Sequence, residues 1–313
     1  MPALEERLAL AELTLTALVA DAELPAKIAV HPRPSSSFAH AMPAFLRGRD
    51  PGGSGDRLGM KWVLGVPANV DAGLPAIHGL VLLNDPLTGL PLAILDAGPI
   101  TAQRTAAVSG VAIRAFRPRV DDHPPRAAPI GAGVQGRSHL PVIGHVLPGA
   151  ELAVFDRDRG RADALAAAAR ETPGIAACRV AADPREATAG ADVVVTAASF
   201  GPQRQVMNED WLAPGALVVP IDYDMHCSAA LVGGASLFLV DHRDQYLATR
   251  AGGAFTGWPD PDAMIGEALL DATPRPEGLV IACHLGVGLA DVVFGAAILA
   301  AAEERGLGTL LPR

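Results

Sequence analysis

The run Gly131-Ala132-Gly133-Val134-Gln135-Gly136 constrains the fold of this chain more tightly than any other feature. An apolar stretch, residues 128–131, leads into it, and residues 135–147 behind it carry the apolar spacing of a helix. A strand, a turn with glycine at its first, third and sixth places, and a helix is how a parallel βαβ unit opens. Gly131 permits the tight turn, Gly133 lets the backbone approach a pyrophosphate, and Gly136 lets the helix pack close to the sheet. Orphan amides at the helix start, those of Val134 and Gln135 among them, supply anion contacts. A second strand, residues 152–155, ends at Asp156, roughly 20 residues downstream, where a carboxylate accepts hydrogen bonds from an adenosine ribose diol. Glycines alone would say little in a chain that has 33 of them. The strand, the helix and the acid around them specify a dinucleotide. Asp156 repels a 2′-phosphate and so favours NAD, while Arg157 and Arg159 beside it keep NADP possible.

Beyond this unit, short apolar strands alternate with Ala-rich helical stretches. Strands are expected at residues 193–197, 217–221, 237–240 and 280–283, with a helix at 159–170, an order that suits a doubly wound parallel sheet. The N-terminal third reads differently. An amphipathic helix at residues 4–20 precedes a Pro/Gly/Ser-rich region, residues 25–59, where loops and short strands are expected. Alternating segments follow at 60–66, 77–83 and 90–96, and the last two flank the turn-rich Asn84-Asp85-Pro86-Leu87-Thr88-Gly89, which makes them a hairpin. Helical spacing runs from Pro99 to about Phe116, and the Pro-rich residues 117–125 read as a linker. An apolar final helix, residues 289–304, is placed back on the first lobe. The expected class is α/β: a discontinuous α+β substrate-binding and dimerisation domain, 1–122 completed by 289–313, and a Rossmann domain, 123–288.

Composition narrows the partners. A formal charge of −9 with no Lys/Arg-rich run excludes a phosphate-binding surface for nucleic acid, so basic residues that matter sit singly in a pocket. The longest uncharged stretch, residues 225–240, is shorter than the roughly 18 residues of a membrane span, and no membrane partner is expected. Cys178, Cys227 and Cys283 are odd in number and far apart, which fits a reducing cytoplasm. No HxH or HExxH spacing marks a metal site.

The segment Asp96-Ala97-Gly98-Pro99-Ile100-Thr101-Ala102-Gln103-Arg104-Thr105-Ala106-Ala107 closely resembles the signature shared by ornithine cyclodeaminases, archaeal-type alanine dehydrogenases and mu-crystallin. Further matches are Arg33 ahead of Met42-Pro43, Lys61-Trp62-Val63 before Pro67 and Asn69, the run from Gly131 to His139, and Leu285-Gly286-Val287-Gly288-Leu289-Ala290-Asp291. These span residues 33 to 291 in the family's order.

The resemblance implies redox chemistry at the α-carbon of an amino acid and a homodimer. Arg33, Lys61 and Arg104 fall on three basic substrate-pocket positions, where a cation fixes an α-carboxylate, and an arginine does so bidentately. Lys61 also orients an amine or a water. Asp224 falls on the catalytic aspartate, after a strand end, where a carboxylate takes a proton from the substrate ammonium. Thr101 and Arg104 within the signature, Thr196 at a strand end and His284 join the glycine-rich turn as candidate cofactor contacts. Two departures stand out. Asp222, Tyr223 and His226 surround Asp224 where relatives commonly have small residues and a proline, and His284 stands where many have serine or asparagine.

The chemistry implied is hydride transfer from Cα to NAD(P)+, giving an imino acid that either cyclises with loss of ammonia or is hydrolysed. A dehydrogenase, an imine or ketimine reductase, a condensing enzyme and a small-molecule binding protein like mu-crystallin are the alternatives. Substrate choice is assigned to the loops at residues 70–76 and 201–210.

Overall fold

The computed structural model describes residues 1–34, 36–50, 53, 55–199, 201 and 203–311; the expected loop at 201–210, the stretch at 25–59 and the segment 289–313 each include positions outside these. The chain forms two compact units, one of residues 1–104 with 287–313 and one of residues 105–286.

The first unit opens with helix α1 (Leu4–Ala20), which buries Leu8, Ala11, Leu15 and Leu18, the one-face spacing of an amphipathic helix. Strands β1 (Ala22–Glu23), β2 (Ile28–Val30), β3 (Phe38–Leu46), β4 (Arg57–Gly65), β5 (Ile77–Asn84) and β6 (Pro91–Asp96) form an antiparallel sheet in the order β1-β3-β4-β5-β6, with β2 also on β3. The nine residues of β3 include Pro43, which discourages a strand reading from sequence. Pro43 is accommodated because it falls between the stretches of β3 that pair with β2, residues 39–41, and with β1, residues 45–46. That gap asks for no amide donor. Helix α2 (Ala97–Phe116) follows β6 directly, and Asp96 Oδ1 accepts the Gly98 N–H at 2.8 Å to cap its start.

The second unit takes up the chain inside α2, at Thr105, and not in the Pro-rich stretch at 117–125. The reason is local: Ser109 and Phe116 of this helix bond to residues of the second unit. Its elements are β7 (Arg126–Ile130), α3 (Val134–Val146), β8 (Ala150–Val154), α4 (Arg159–Arg170), β9 (Ile175–Val180), α5 (Pro184–Thr188), β10 (Val193–Thr196), β11 (Leu217–Pro220), α6 (Ala229–Gly233), β12 (Leu237–Val240), α7 (Arg243–Ala251), β13 (Ala263–Met264), α8 (Ile265–Leu270) and β14 (Val280–Cys283). The eight strands are parallel, in the order β13-β12-β14-β11-β10-β7-β8-β9. Every residue of β10, β11 and β14 is buried, which is why these strands read as unbroken apolar runs. Chain order reverses between β7 and β10, and the carboxyl ends of strands at such a reversal are the place where doubly wound sheets bind ligands.

The last helix, α9 (Gly288–Glu304), belongs to the first unit and packs on β3, β4 and β5. Its approach is close: a Cβ on Gly288 would run into the Met42 carbonyl, and one on Gly295 would lie among Val81, Leu83 and Leu95.

Candidate functional site

In the first unit, α9 carries a fully buried acid in its first turn, Asp291. Strand β4 brings Lys61 to it, with Nζ 2.6 Å from Asp291 Oδ2. Helix α2 brings Arg104, with Nε 3.3 Å from Asp291 Oδ1. Lys61 and Arg104 are 2% and 5% exposed, so all three charges are out of water. Burial pushes the Lys61 ammonium down to about 7; Asp291 works against that fall and the neighbouring Arg104 charge adds to it. Two cations on one carboxylate leave net positive charge in a dry place, which suits an incoming carboxylate. Thr101, one helical turn before Arg104, has a buried hydroxyl with no hydrogen-bond partner among the described residues. Arg33 is not brought to this cluster: it lies exposed between β2 and β3.

In the second unit, the glycine-rich turn joins β7 to α3 as the motif anticipates. Gly131 has φ +107°, a conformation that side chains disfavour, and a Cβ there would strike the Ala197 carbonyl. A Cβ on Gly136 would strike the Gly131 carbonyl, so helix and turn close up only with glycine at that place. Nothing lies within 4 Å of where a Cβ of Gly133 would be. Gly133 caps α3 without any side-chain hydrogen bond, leaving the first amides of the helix to meet an anion. Val134 is 69% exposed, and Gln135 Oε1 is a buried acceptor with no partner among the described residues. These features fit a pyrophosphate laid against open backbone. Asp156 lies at the end of β8 and has a prior duty: Oδ2 accepts the Ala132 N–H at 2.7 Å and Oδ1 the Asp158 N–H at 2.8 Å. It therefore fixes the turn, and its remaining lone pairs face the ribose question. Arg157 beside it is exposed.

Past the switch point, Thr196 ends β10 and donates its hydroxyl proton to Asp222 Oδ1 at 2.7 Å. Asp222 Oδ2 accepts from the Ala198 amide at 3.0 Å and lies 2.8 Å from His226 Nδ1. Asp224, 2% exposed, pairs through Oδ1 with Arg204 and accepts the Phe255 N–H on Oδ2 at 3.2 Å. Four described non-glycine residues have positive φ, and three of them, Gln205, Tyr223 and Phe255, surround Asp224. Gln205 N donates to the Asp224 carbonyl, Phe255 N to its carboxylate, and Tyr223 precedes it and stacks on Phe255 at 5.3 Å between ring centroids. Strain of this kind gathers where a side chain must be held in one pose.

His284 follows β14 and is buried. Its Nε2 lies 2.8 Å from Ser109 Oγ, which lies 2.8 Å from His139 Nε2. Sequence reasoning gave Asp291 no role, although it closes the matching run at residues 285–291 and is an acid in the first turn of an otherwise apolar helix. Ser109 and the part played by His139 were missed, because both read from sequence as ordinary helix residues.

Residues 2–233 match the family described as ornithine cyclodeaminase/mu-crystallin. Among curated proteins, the chain is 33% identical over 295 residues to the nodulation efficiency protein NfeD of Rhizobium meliloti, covering 92% of this chain and 87% of that one. It is 28% identical over 261 residues to the ketimine reductase mu-crystallin of Mus musculus, covering 82% and 78%. Among solved structures, Thermococcus litoralis Δ1-pyrroline-2-carboxylate reductase, in complex with NADH and L-proline, shares the fold, with a TM-score of 0.83 at 23% identity over 99% of this chain and 96% of that one.

Proposed function

From the premise that the chain belongs to the ornithine cyclodeaminase/mu-crystallin family, we propose that Lys61 and Arg104 hold the α-carboxylate of a small amino or imino acid whose α-carbon exchanges a hydride with NAD(P). Membership makes the chain an NAD(P)-dependent enzyme of the cyclodeaminase, imine-reductase or amino-acid-dehydrogenase kind. The observation that carries the residue assignment is the sharing of one buried carboxylate, Asp291, by two cations.

The dinucleotide supplies the hydride acceptor or donor; the chain supplies everything else. The amides at the start of α3 take the pyrophosphate, with Gly131, Gly133, Val134, Gln135 and Gly136 shaping the turn, and Asp156 favours NAD over NADP. Oxidation of an α-ammonium acid to an iminium acid releases one proton with the hydride. A Lys61 amine titrating near 7 is suited to receive that proton at neutral pH. Asp224, the second proton-handling group, is held by its ion pair with Arg204. Thr196 and His284 line the cofactor's second half.

The chain works as a homodimer. One face of the first sheet packs on α9 through Val81, Leu83 and Leu95, while the other exposes Leu80 and Ile94, 46% and 55% exposed. A second copy covers that apolar row. Among the described residues no helix is long and apolar enough to cross a membrane, and with three free cysteines we place the enzyme in the cytoplasm.

The test is nicotinamide fluorescence with NADH and NADPH, then turnover with L-ornithine, L-lysine, L-alanine and cyclic imines. Ammonia without net NADH means cyclodeamination, NADH accumulation means dehydrogenation, and NADH consumption with an imine means reduction. Binding of either nucleotide without turnover on the panel moves the reading to a binding role. Failure to bind either nucleotide sinks it.

A further inference from the structure

In the first unit, the sheet face that α9 covers carries basic side chains across three adjacent strands. Paired residues of a sheet point to one side, and side chains alternate along each strand. Lys61 of β4 pairs with Met42 and Val63 with His40, so His40 shares the face of Lys61. Ala29 of β2 pairs with His40, and alternation carried one residue past each end of β2 sets Lys27 and His31 on that face too. His40 stands roughly 7 Å along β3 from the level of Lys61, two residues at about 3.4 Å each. Its ring is fixed by packing: Phe38 lies over Gly65, where a Cβ would run into the Phe38 ring, and His40 stacks on Phe38 with 4.6 Å between ring centroids. Among the described residues the His40 ring makes no hydrogen bond. Burial, with the charges of Lys27, His31 and Lys61 behind it, pushes its pKa down to about 4, so the ring is neutral at pH 7 and offers an N–H. None of the residues that β2, β3, β4 and β5 turn to this face is an acid, and Asp291, which reaches it from α9, is taken by Lys61 and Arg104.

We propose that His40, beside Lys27, binds a second carboxylate of the substrate, so that the enzyme acts on a 2-amino or 2-imino dicarboxylic acid and His40 sets that preference. This deepens, and rests on, the reading that Lys61 and Arg104 hold the α-carboxylate. The spacing along β3 suits it, since an acid such as aspartate or glutamate carries its two carboxylates within the reach of side chains on neighbouring levels of one sheet face. The charges suit it as well. A distal ammonium, as in a diamino acid, would enter the same place against Lys27 and Lys61 with no acid to meet it. A methyl side chain would leave the N–H of His40 without an acceptor. A neutral imidazole on an aromatic platform is a fixed donor, and a carboxylate placed on it among like-signed neighbours gains from all of them.

The experiment measures kcat and KM of the full chain for L-aspartate, L-glutamate, L-alanine and L-ornithine with NAD+ and NADP+, and in reverse for the matching 2-oxo acids with ammonium and NADH or NADPH. Calorimetry on the NADH-loaded protein compares glutarate, butyrate and 4-aminobutanoate, which share a length and differ in the distal group. The better dicarboxylic substrate should exceed L-alanine and L-ornithine in kcat/KM by about tenfold or more, and glutarate should bind tighter than butyrate by a similar factor, the effect of one hydrogen bond to a charged group. The 4-aminobutanoate should bind more weakly than butyrate. His40→Leu keeps the bulk without the N–H and should erase the advantage of glutarate, raising KM for the dicarboxylic substrate far more than KM for L-alanine. His40→Gln keeps an N–H and should restore most of that loss, whereas a merely structural role would move both substrates alike. A wild type that prefers L-alanine or L-ornithine, glutarate bound no tighter than butyrate, or an unchanged KM ratio in folded His40→Leu overturns the proposal. The wild-type measurements decide alone if the variants fail to fold. Turnover confined to L-alanine or L-ornithine would sink this inference and leave the functional reading standing; turnover on none of the panel in either direction would overturn both.

Discussion

Replacing Lys61 with methionine should change how stability depends on pH in a way only this residue can produce. An unbranched thioether fills the same space in β4 without charge. In the folded chain burial lowers the Lys61 pKa to about 7, against an ordinary value of 10.5. The unfolded chain thus keeps a proton between those values that the folded chain has given up. Unfolding takes up a proton in that window, so stability climbs as pH rises through it and is lost as pH falls toward 7. The limiting slope is about 1.4 kcal/mol per pH unit for one proton, and the integral from pH 7 to 9 is about 2 kcal/mol. Urea unfolding of wild type and Lys61→Met at pH 7, 8 and 9, at constant ionic strength, measures it. The stability difference, wild type minus variant, should grow in favour of the wild type by about 2 kcal/mol across the series. Parallel pH curves for the two proteins would refute the buried, depressed lysine, and with it Lys61 as the group that takes a proton near neutrality.

Gly136→Ala places a Cβ against the Gly131 carbonyl and should weaken NADH binding by at least about tenfold by calorimetry, with the fold retained. Asp156→Ser withdraws the charge that opposes a 2′-phosphate, and the NADH/NADPH affinity ratio should fall by about tenfold in fluorescence titrations; an unchanged ratio removes Asp156 from cofactor selection. Asp224→Asn should lower kcat by about 10²-fold or more while leaving NADH affinity intact, and a kcat near wild type would take proton handling away from that residue. Leu80→Glu combined with Ile94→Glu puts charge on the exposed sheet face and should give monomers by sedimentation; dimers unaffected by the pair would move the interface elsewhere.

The second unit was legible because buried parallel strands are written as short unbroken apolar runs and the glycine-rich turn has a physical duty at each glycine. β9 escaped notice: Ile175-Ala176-Ala177-Cys178-Arg179-Val180 is an edge strand with only Ile175 fully buried, so it has neither a continuous run nor a clean alternation. β3 was obscured by Pro43, which is acceptable only because two short strands share that edge and leave a gap, a fact of pairing and not of local sequence. The charge cluster was half legible. Lys61 and Arg104 came from motifs, but the carboxylate that joins them arrives from 187 residues beyond Arg104, and no local spacing announces such a contact. Arg33 shows the converse, a basic residue whose motif match says nothing of its burial, and the structure leaves it exposed.

Asp222 and Asp224 are two acids separated by one residue after the same strand, and their surroundings separate them. Asp222 is consumed by structure: Thr196, the Ala198 amide and His226 occupy its oxygens, tying the end of β10 to the end of β11. An acid so satisfied positions its neighbours. Asp224 is built differently. Its partners are Arg204, whose side chain is 41% exposed, and a single main-chain amide, that of Phe255. The backbone around it occupies positive φ at Gln205, Tyr223 and Phe255, each at a cost of order 1–3 kcal/mol. The aromatic packing of Tyr223 on Phe255, and of Phe255 on Tyr246 and Trp258, is what keeps that backbone in place. A helix cap needs none of this, since any flexible acid finds an amide. A carboxylate that must keep one orientation while a proton and a charge pass near it does need it, because preorganisation leaves no reorientation to be made at the moment of reaction. The strained shell therefore favours Asp224 over Asp222 as the proposed proton-handling residue.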